Sequence, residues 1–305
     1  LNIGTAHLGE FGGRDNIAQT KSEIYQGLSD TGTAIVPFGD DYFDTLLNNA
    51  QQFTQNILTF GERDVSLADA GVDMQQAKEI GLTDEDTVLL MGDVFADDVE
   101  VGNTSTFSLN FNFDIDEIES QNVTLNFAGE HNISNALAAA ACAQALGLSI
   151  DDIAKGLDAA KPAKGRLNFI EFGRHTLIDD TYNANPSAVI AATQVLVSQG
   201  APTLLVLGDI GELGDAAQEE HRKLGEAIAA SGVTVLYTVG ELTPVTVAQA
   251  QASGMQAQAY PDKATLLAAI KDKLTSSDDA WHILFKGSRY MRMEQIIDEL
   301  TRQPF

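Results

Sequence analysis

The chain has 305 residues, 44% of them hydrophobic and 20% charged, a globular composition and a length that favours two domains. Its 44 acidic residues outnumber the 18 Lys and Arg residues, which gives a formal net charge of −26. This charge argues against nucleic acid and anionic membranes as partners, since both are bound by clustered cations. The sequence has no run of about 18 apolar residues, so we predict no membrane span. The single cysteine, Cys142, excludes an intrachain disulfide and is expected on a buried helix face.

The first half of the chain predicts a domain with a mixed sheet. A helix is expected at residues 16–28, with Ile17, Ile24 and Leu28 on one side. Between residues 99 and 127 the apolar residues alternate with polar ones, as they do in half-buried antiparallel strands. Asn132 is the expected N-cap of an Ala-rich helix. The remaining predicted elements are strands at 34–38, 57–60 and 88–91, the body of that helix at 132–146, and a helix at 150–160.

The second half shows a strong alternation of strands and helices, which predicts a Rossmann-like, mostly parallel sheet. Strands are expected at 176–178, 203–207, 233–239 and 282–285, and helices at 188–199, 216–230, 244–252, 263–274 and 293–301. Pro162 and Gly165 interrupt the helical pattern between the two halves. We therefore predict an α/β protein with domains at residues 1–163 and 164–305.

Three polar clusters follow apolar strands of the second half, at residues 179–185, 208–212 and 286–289. Because ligands of parallel sheets bind at the carboxyl ends of the strands, these clusters predict a site at one sheet edge. Turn chemistry explains Asn185-Pro186 without any ligand. It does not explain the number of polar side chains that precede them.

Single residues elsewhere are ambiguous by themselves. His7 follows a short strand-like segment and Lys21 lies on the next helix, where a packing or surface role is the ordinary explanation. Asn135 is a mediocre helix former one turn into the Ala-rich helix, and its amide could meet the edge of a purine. Arg166 is either a surface cation or a guanidinium that meets phosphate oxygens.

The order of these motifs is what identifies a family. Asn-Ile-Gly-Thr-Ala-His-Leu, Lys-Ser-Glu-Ile, Gly-Glu-His-Asn-Ile-Ser-Asn, Gly-Arg-Leu and Ile-Asp-Asp-Thr-Tyr-Asn-Ala-Asn-Pro occur in that order along nearly the whole chain. This series resembles the ATP-dependent Mur ligases. Leu-Gly-Asp-Ile-Gly-Glu-Leu-Gly followed by His221, and Phe-Lys-Gly-Ser-Arg-Tyr-Met-Arg-Met-Glu, are most similar to the members that add D-alanyl-D-alanine.

The resemblance implies a role for each matching residue. His7 would bind Mg²⁺, and Lys21 would be carbamylated, because a carbamate offers a second Mg²⁺ the hard oxygen ligands that an ammonium cannot. Arg166 would contact the ATP phosphates, so that His7, Lys21 and Arg166 form the catalytic set. The remaining implied contacts are adenine for Asn132 and Asn135, ribose for Asp180, the nucleotide for Tyr182, and the incoming dipeptide or acyl phosphate for Asn185, Lys286, Ser288 and Arg289.

The implied reaction is amide-bond formation in peptidoglycan synthesis. ATP would phosphorylate the terminal carboxylate of UDP-N-acetylmuramoyl-tripeptide, and the amine of D-alanyl-D-alanine would displace the phosphate. Cations and metal ions would neutralise the crowded negative charge. A monomeric enzyme of the bacterial cytoplasm is expected.

One family motif is missing from the sequence. No Gly-x-x-x-x-Gly-Lys-[Ser/Thr] phosphate loop occurs in the 305 residues, although the chemistry requires one. In the family this loop lies upstream, in the first part of the central domain. We therefore expect the chain to be the later part of a longer ligase, and expect that it does not turn over ATP alone.

Two alternatives remain at this point. Another ligase of the same superfamily would add a different amino acid, or glutamate to folate. The second alternative is a non-catalytic nucleotide-binding module built on the second sheet. However, Asp-Thr-Tyr-Asn stands where a dinucleotide binder would have Gly-x-Gly-x-x-Gly.

Overall fold

A computed structural model describes residues 1–4, 8–66, 70, 78, 83, 87–114, 117–200 and 202–302. The chain divides into two compact units. The first consists of Leu1–Ile3, Asp15–Asn126 and Glu130–Ala160, and the second of Gly4–Arg14, Phe127–Gly129 and Lys161–Phe305. The domain boundary itself stays a prediction.

The first unit contains a five-stranded mixed sheet in the order β1-β2-β5-β6-β7. The predicted antiparallel part is confirmed, since β6 pairs antiparallel with both β5 and β7. Strands β3 and β4 form a separate two-stranded sheet. The strands are β1 (Thr33–Pro37), β2 (Asn56–Phe60), β3 (Glu62–Ser66), β4 (Thr87–Met91), β5 (Val94–Glu100), β6 (Ser105–Asp114) and β7 (Glu117–Leu125). The helices of this part of the chain are α1 (Leu8–Phe11, assigned to the second unit), α2 (Arg14–Ser22), α3 (Phe43–Ala50), α4 (Glu130–Ala145) and α5 (Ile150–Ala159).

Three expectations about individual helix residues are wrong. A 3₁₀ turn replaces the α-helix at Glu23–Gly27 and changes the phase, so that Tyr25 is buried and Ile24 is 75% exposed. Helix α4 begins at Glu130, so Asn132 lies inside its first turn and is not the N-cap. Cys142 is exposed, because the buried face of α4 is formed by alanines and by Ile133 and Leu137.

The second unit is a six-stranded sheet in the order β12-β11-β10-β13-β9-β8, and the predicted mostly parallel fold is confirmed. Only the edge pair β8–β9 is antiparallel among these strands. The strands are β8 (Asn168–Phe172), β9 (His175–Asp180), β10 (Thr203–Gly208), β11 (Val235–Val239), β12 (Gln256–Tyr260) and β13 (His282–Lys286). The helices are α6 (Pro186–Ser198), α7 (Ala217–Ala230), α8 (Thr243–Ala252), α9 (Lys263–Thr275) and α10 (Glu294–Arg302).

Differences in burial explain why the sequence predicts the central strands of this sheet but not its edge strands. The central strands β10 and β11 are buried at every position and read as continuous apolar runs. The edge strands β8 and β12 expose several positions and contain Glu171, Gln256 and Gln258, so their apolar signal is weak. Two apolar clusters pack on the sheet, one containing α6, α7 and α8 residues and the other α9 and α10 residues. No helix among the described residues is long and apolar enough to cross a membrane.

Candidate active site

An ion pair joins two neighbouring strand ends in the second unit. Lys286, the last residue of β13, donates from Nζ to Asp180 Oδ2 at 2.5 Å and to the Asn183 carbonyl at 3.0 Å. The side chains of Lys286 and Asp180 are 4% and 13% exposed, so the pair is largely removed from water. The parallel register aligns Lys286 with Asp180, which brings the two predicted clusters together.

Asp180 also fixes the segment that enters this unit. Its Oδ1 accepts a hydrogen bond from the Leu167 amide at 3.3 Å. Leu167 has a φ of 49°, a left-handed conformation that costs free energy for a residue with a side chain. The adjacent Arg166 guanidinium lies 4.4 Å from the centre of the exposed Tyr182 ring. The structure therefore groups Arg166, Asp180 and Tyr182 at one place.

The loop at residues 208–214, which follows β10, is anchored through Asp209. Both oxygens of this buried carboxylate accept backbone N–H groups at the start of α8, from Glu241, Leu242 and Thr243. The carbonyl of Asp209 accepts from the Ser288 amide at 3.0 Å. A side chain at Gly240 would collide with the Asp209 carboxylate, so glycine is required there.

Ser288 and Arg289 follow β13, and Ser288 contacts the same loop. The Gly211 amide donates to Ser288 Oγ at 2.7 Å, and Ser288 is 5% exposed. The Arg289 guanidinium forms an ion pair with Glu294 Oε1 at 3.1 Å. The Arg289 amide donates to the Asn183 side chain at 3.3 Å. The cluster at residues 286–289 thus contacts both of the other predicted polar clusters.

Asn185 has a structural explanation in addition to its predicted role. Its side chain accepts from the Ala188 amide at 2.8 Å and from the Ser187 hydroxyl, and so caps α6. Pro186 occupies the first turn of that helix, where a missing N–H costs nothing. The sequence missed other residues of this edge, including the helix-capping carboxylate of Asp209 and the partner of Arg289, Glu294.

In the first unit the two predicted adenine contacts lie side by side. Asn135 Nδ2 donates to Asn132 Oδ1 at 3.1 Å on the first turns of α4. Lys21, on the last turn of α2, donates from Nζ to the Asn2 carbonyl at 3.1 Å. His7, the other predicted Mg²⁺ ligand, lies outside the described residues.

Comparison with known proteins gives matches along the chain. The Mur ligase middle domain matches residues 1–143, and the Mur ligase, glutamate ligase domain matches residues 165–289. The UDP-N-acetylmuramoyl-tripeptide–D-alanyl-D-alanine ligase of Escherichia coli K12 is 33% identical over 303 residues, which are 98% of this chain and 58% of the relative. The Bacillus subtilis 168 ligase of the same name is 31% identical, over 99% of this chain and 58% of the relative.

Solved structures agree with these sequence matches. A crystal structure of MurF from Acinetobacter baumannii has a TM-score of 0.82 and 39% identity, over 99% of this chain and 58% of that chain. The chain thus spans somewhat more than half the length of these relatives. Because two Mur ligase domains match in order and both sheets have the expected topology, the chain belongs to the Mur ligase family.

Proposed function

We propose that the chain is the part of an ATP-dependent ligase that receives D-alanyl-D-alanine and joins it to UDP-N-acetylmuramoyl-tripeptide. The observation that carries this proposal is the cluster of Lys286, Ser288 and Arg289 at the strand ends of the second unit. These residues place two cations and a hydroxyl group at one sheet edge, where parallel sheets bind their ligands. A dipeptide carboxylate and an acyl phosphate are both anions that such groups bind.

The supporting chemistry is carboxylate activation. A tripeptide carboxylate oxygen attacks the γ-phosphorus of ATP and ADP leaves, which produces an acyl phosphate. The amine nitrogen of D-alanyl-D-alanine then attacks the acyl carbon, phosphate leaves, and the nitrogen loses a proton. Both steps concentrate negative charge, so donors held in place before the reaction stabilise the transition states.

Lys286 is suited to the acyl-phosphate end of this reaction. An ammonium has three N–H groups, and two of them donate to Asp180 and to the Asn183 carbonyl. The third has no protein acceptor among the described residues and can donate to a ligand oxygen. Because Asp180 holds the ammonium at a fixed point, little side-chain entropy is lost when the ligand binds.

Two groups of residues are suited to the nucleotide. In the first unit, the paired amides of Asn132 and Asn135 offer a donor and an acceptor to a purine edge. In the second unit, Arg166 offers its guanidinium to phosphate oxygens while the Tyr182 ring holds it, and Asp180 offers carboxylate oxygens to a ribose. ATP is the proposed co-substrate, and each group is proposed as a nucleotide contact by itself.

Magnesium is a separate case. No group of three or more His, Cys, Asp or Glu side chains in the described part of the chain is arranged to hold a metal ion. The Lys21 ammonium carries hydrogens that face the Asn2 carbonyl, and in that state it repels a cation. The described residues do not form a Mg²⁺ site, so binding by His7 and a carbamylated Lys21 stays a prediction. No step is assigned to the metal. A monomer in the bacterial cytoplasm likewise stays a prediction.

Calorimetric titration of the purified chain tests the proposal. D-Alanyl-D-alanine should bind, whereas D-glutamate, diaminopimelate and lysine should not, and ATP should bind in preference to NAD. Arg289→Ala should abolish dipeptide binding, and Arg174→Ala, which removes a cation bonded to the carbonyls of Ser277 and Asp278, is the matched control. Binding of a single amino acid in place of the dipeptide would contradict the assigned acceptor.

A further inference from the structure

A buried histidine lies behind the loop at residues 208–214. His221 on α7 is 0% exposed, and its Nε2 accepts a hydrogen bond from the Ile210 amide at 3.3 Å. Its Nδ1 lies 2.9 Å from Thr246 Oγ1 on α8. The imidazole therefore connects the loop to two helices.

The contact with Ile210 determines the protonation state of the ring. An amide N–H is a donor, so Nε2 must be unprotonated, and the hydrogen of the neutral ring is on Nδ1, where it donates to Thr246. Burial lowers the pKa of His221, which is consistent with a neutral ring. Gly225 lies one turn after His221 and allows α7 and α8 to approach, because a side chain there would meet the Thr246 carbonyl at 2.3 Å.

The loop at residues 208–214 connects His221 to Ser288 through hydrogen bonds of consecutive residues. The carboxylate of Asp209 is held by α8, the Ile210 amide by His221, and the Gly211 amide donates to Ser288 Oγ at 2.7 Å. Since Oγ accepts from Gly211, its own hydrogen is directed elsewhere. The protein acceptor found for it is the Ala184 carbonyl, at a long 3.5 Å. Ser288 is thus a hydroxyl donor with a preset direction.

We propose that His221 is a positioning residue, which acts through Ile210 and Gly211 to aim the Ser288 hydroxyl at the carboxylate of the incoming dipeptide. The inference rests on the proposed function, since it concerns the same acceptor site. It assigns to His221 an effect on dipeptide affinity and not on nucleotide affinity. A residue needed only for folding would affect both.

Three variants of the 305-residue chain test this. His221→Leu removes both hydrogen bonds at similar volume, His221→Gln retains an acceptor for the Ile210 amide, and Thr246→Val removes only the partner of Nδ1. Each is titrated with D-alanyl-D-alanine and with ATP, and the Gly211 amide resonance is recorded without ligand.

We expect His221→Leu to bind the dipeptide about tenfold more weakly and to shift the Gly211 resonance, with ATP affinity unchanged. His221→Gln should restore most of the affinity, and Thr246→Val should lose about threefold. Wild-type dipeptide affinity in His221→Leu, or an equal loss for both ligands, would overturn the inference. If His221→Leu does not fold, unchanged affinity in Thr246→Val overturns it. A wild-type chain that binds ATP but not the dipeptide would instead overturn the proposed acceptor site.

Discussion

The Lys286 ammonium and the Asp180 carboxylate form a buried ion pair across the ends of β13 and β9. The sequence suggests separate ligands for the two residues, the acyl phosphate or dipeptide for one and the ribose for the other. The structure also pairs the two side chains with each other, so each sets the position of its partner. A change at either residue should therefore affect both proposed parts of the site.

The pair should contribute to stability. In Lys286→Met the Asp180 carboxylate is left without its cation in a largely buried place, and we expect a loss of about 3 kcal/mol in the free energy of unfolding. Adding Asp180→Asn should recover part of it. Urea denaturation measures both values. Lys155→Met, which breaks an exposed pair with Asp151, is the control and should have little effect. Equal effects of Lys286→Met and Lys155→Met would contradict the burial of the pair.

Two helix glycines should respond in opposite directions to alanine. Gly225→Ala forces a methyl group against the Thr246 carbonyl and should destabilise the protein by about 2 kcal/mol. Gly156 on α5 has open space at the same position, so Gly156→Ala should stabilise by about 1 kcal/mol through helix propensity. Thermal or urea unfolding distinguishes them. Two changes of the same sign would be inconsistent with the close approach of α7 and α8.

Acid should weaken the folded state through buried histidines. Burial lowers the pKa of His221, and likewise of His175 and His282, below the ordinary value of 6.5. As the pH falls through 6.5, the unfolded chain takes up protons that the folded chain does not, so stability is fully present above 6.5 and decreases below it. The wild type should therefore lose more stability than His221→Gln between about pH 7.5 and about pH 5.5. Equal losses of stability in the two proteins over this pH range would show that His221 does not contribute to the acid sensitivity.

The Tyr182 ring should matter through Arg166. Tyr182→Ala removes the surface on which the guanidinium lies, and we expect about threefold weaker ATP binding, because exposed cation–π contacts contribute little. Tyr182→Phe retains the ring and should bind ATP like the wild type. Calorimetric titration of the two variants with ATP distinguishes the contribution of the ring from that of the hydroxyl group. Weaker binding in Tyr182→Phe would indicate that the hydroxyl makes the contact.

The sequence predicts the sheet edge where the polar clusters meet, because periodicity and topology are sufficient to place them. Buried parallel strands read as apolar runs, and polar clusters that follow them must meet at their carboxyl ends. The convergence of residues 179–185, 208–212 and 286–289 needs no side-chain detail.

The sequence does not predict which polar groups pair. The Lys286–Asp180 contact depends on strand register, and the His221–Thr246 contact depends on how closely α7 and α8 approach at Gly225. The errors at Ile24 and Asn132 have local causes, a 3₁₀ turn that shifts the helix phase and a helix that begins two residues early. Strand register and helix approach, in contrast, are decided by tertiary packing.

The central claim is that the acceptor dipeptide binds at the Ser288 edge of the second sheet. Chemical-shift mapping of the isotope-labelled chain during titration with D-alanyl-D-alanine tests it most directly. We predict the largest shifts at Gly211, Ser288 and Arg289, with none at His175, which begins β9, or at Trp281, which precedes β13. Saturable shifts confined to residues away from this edge would contradict the account.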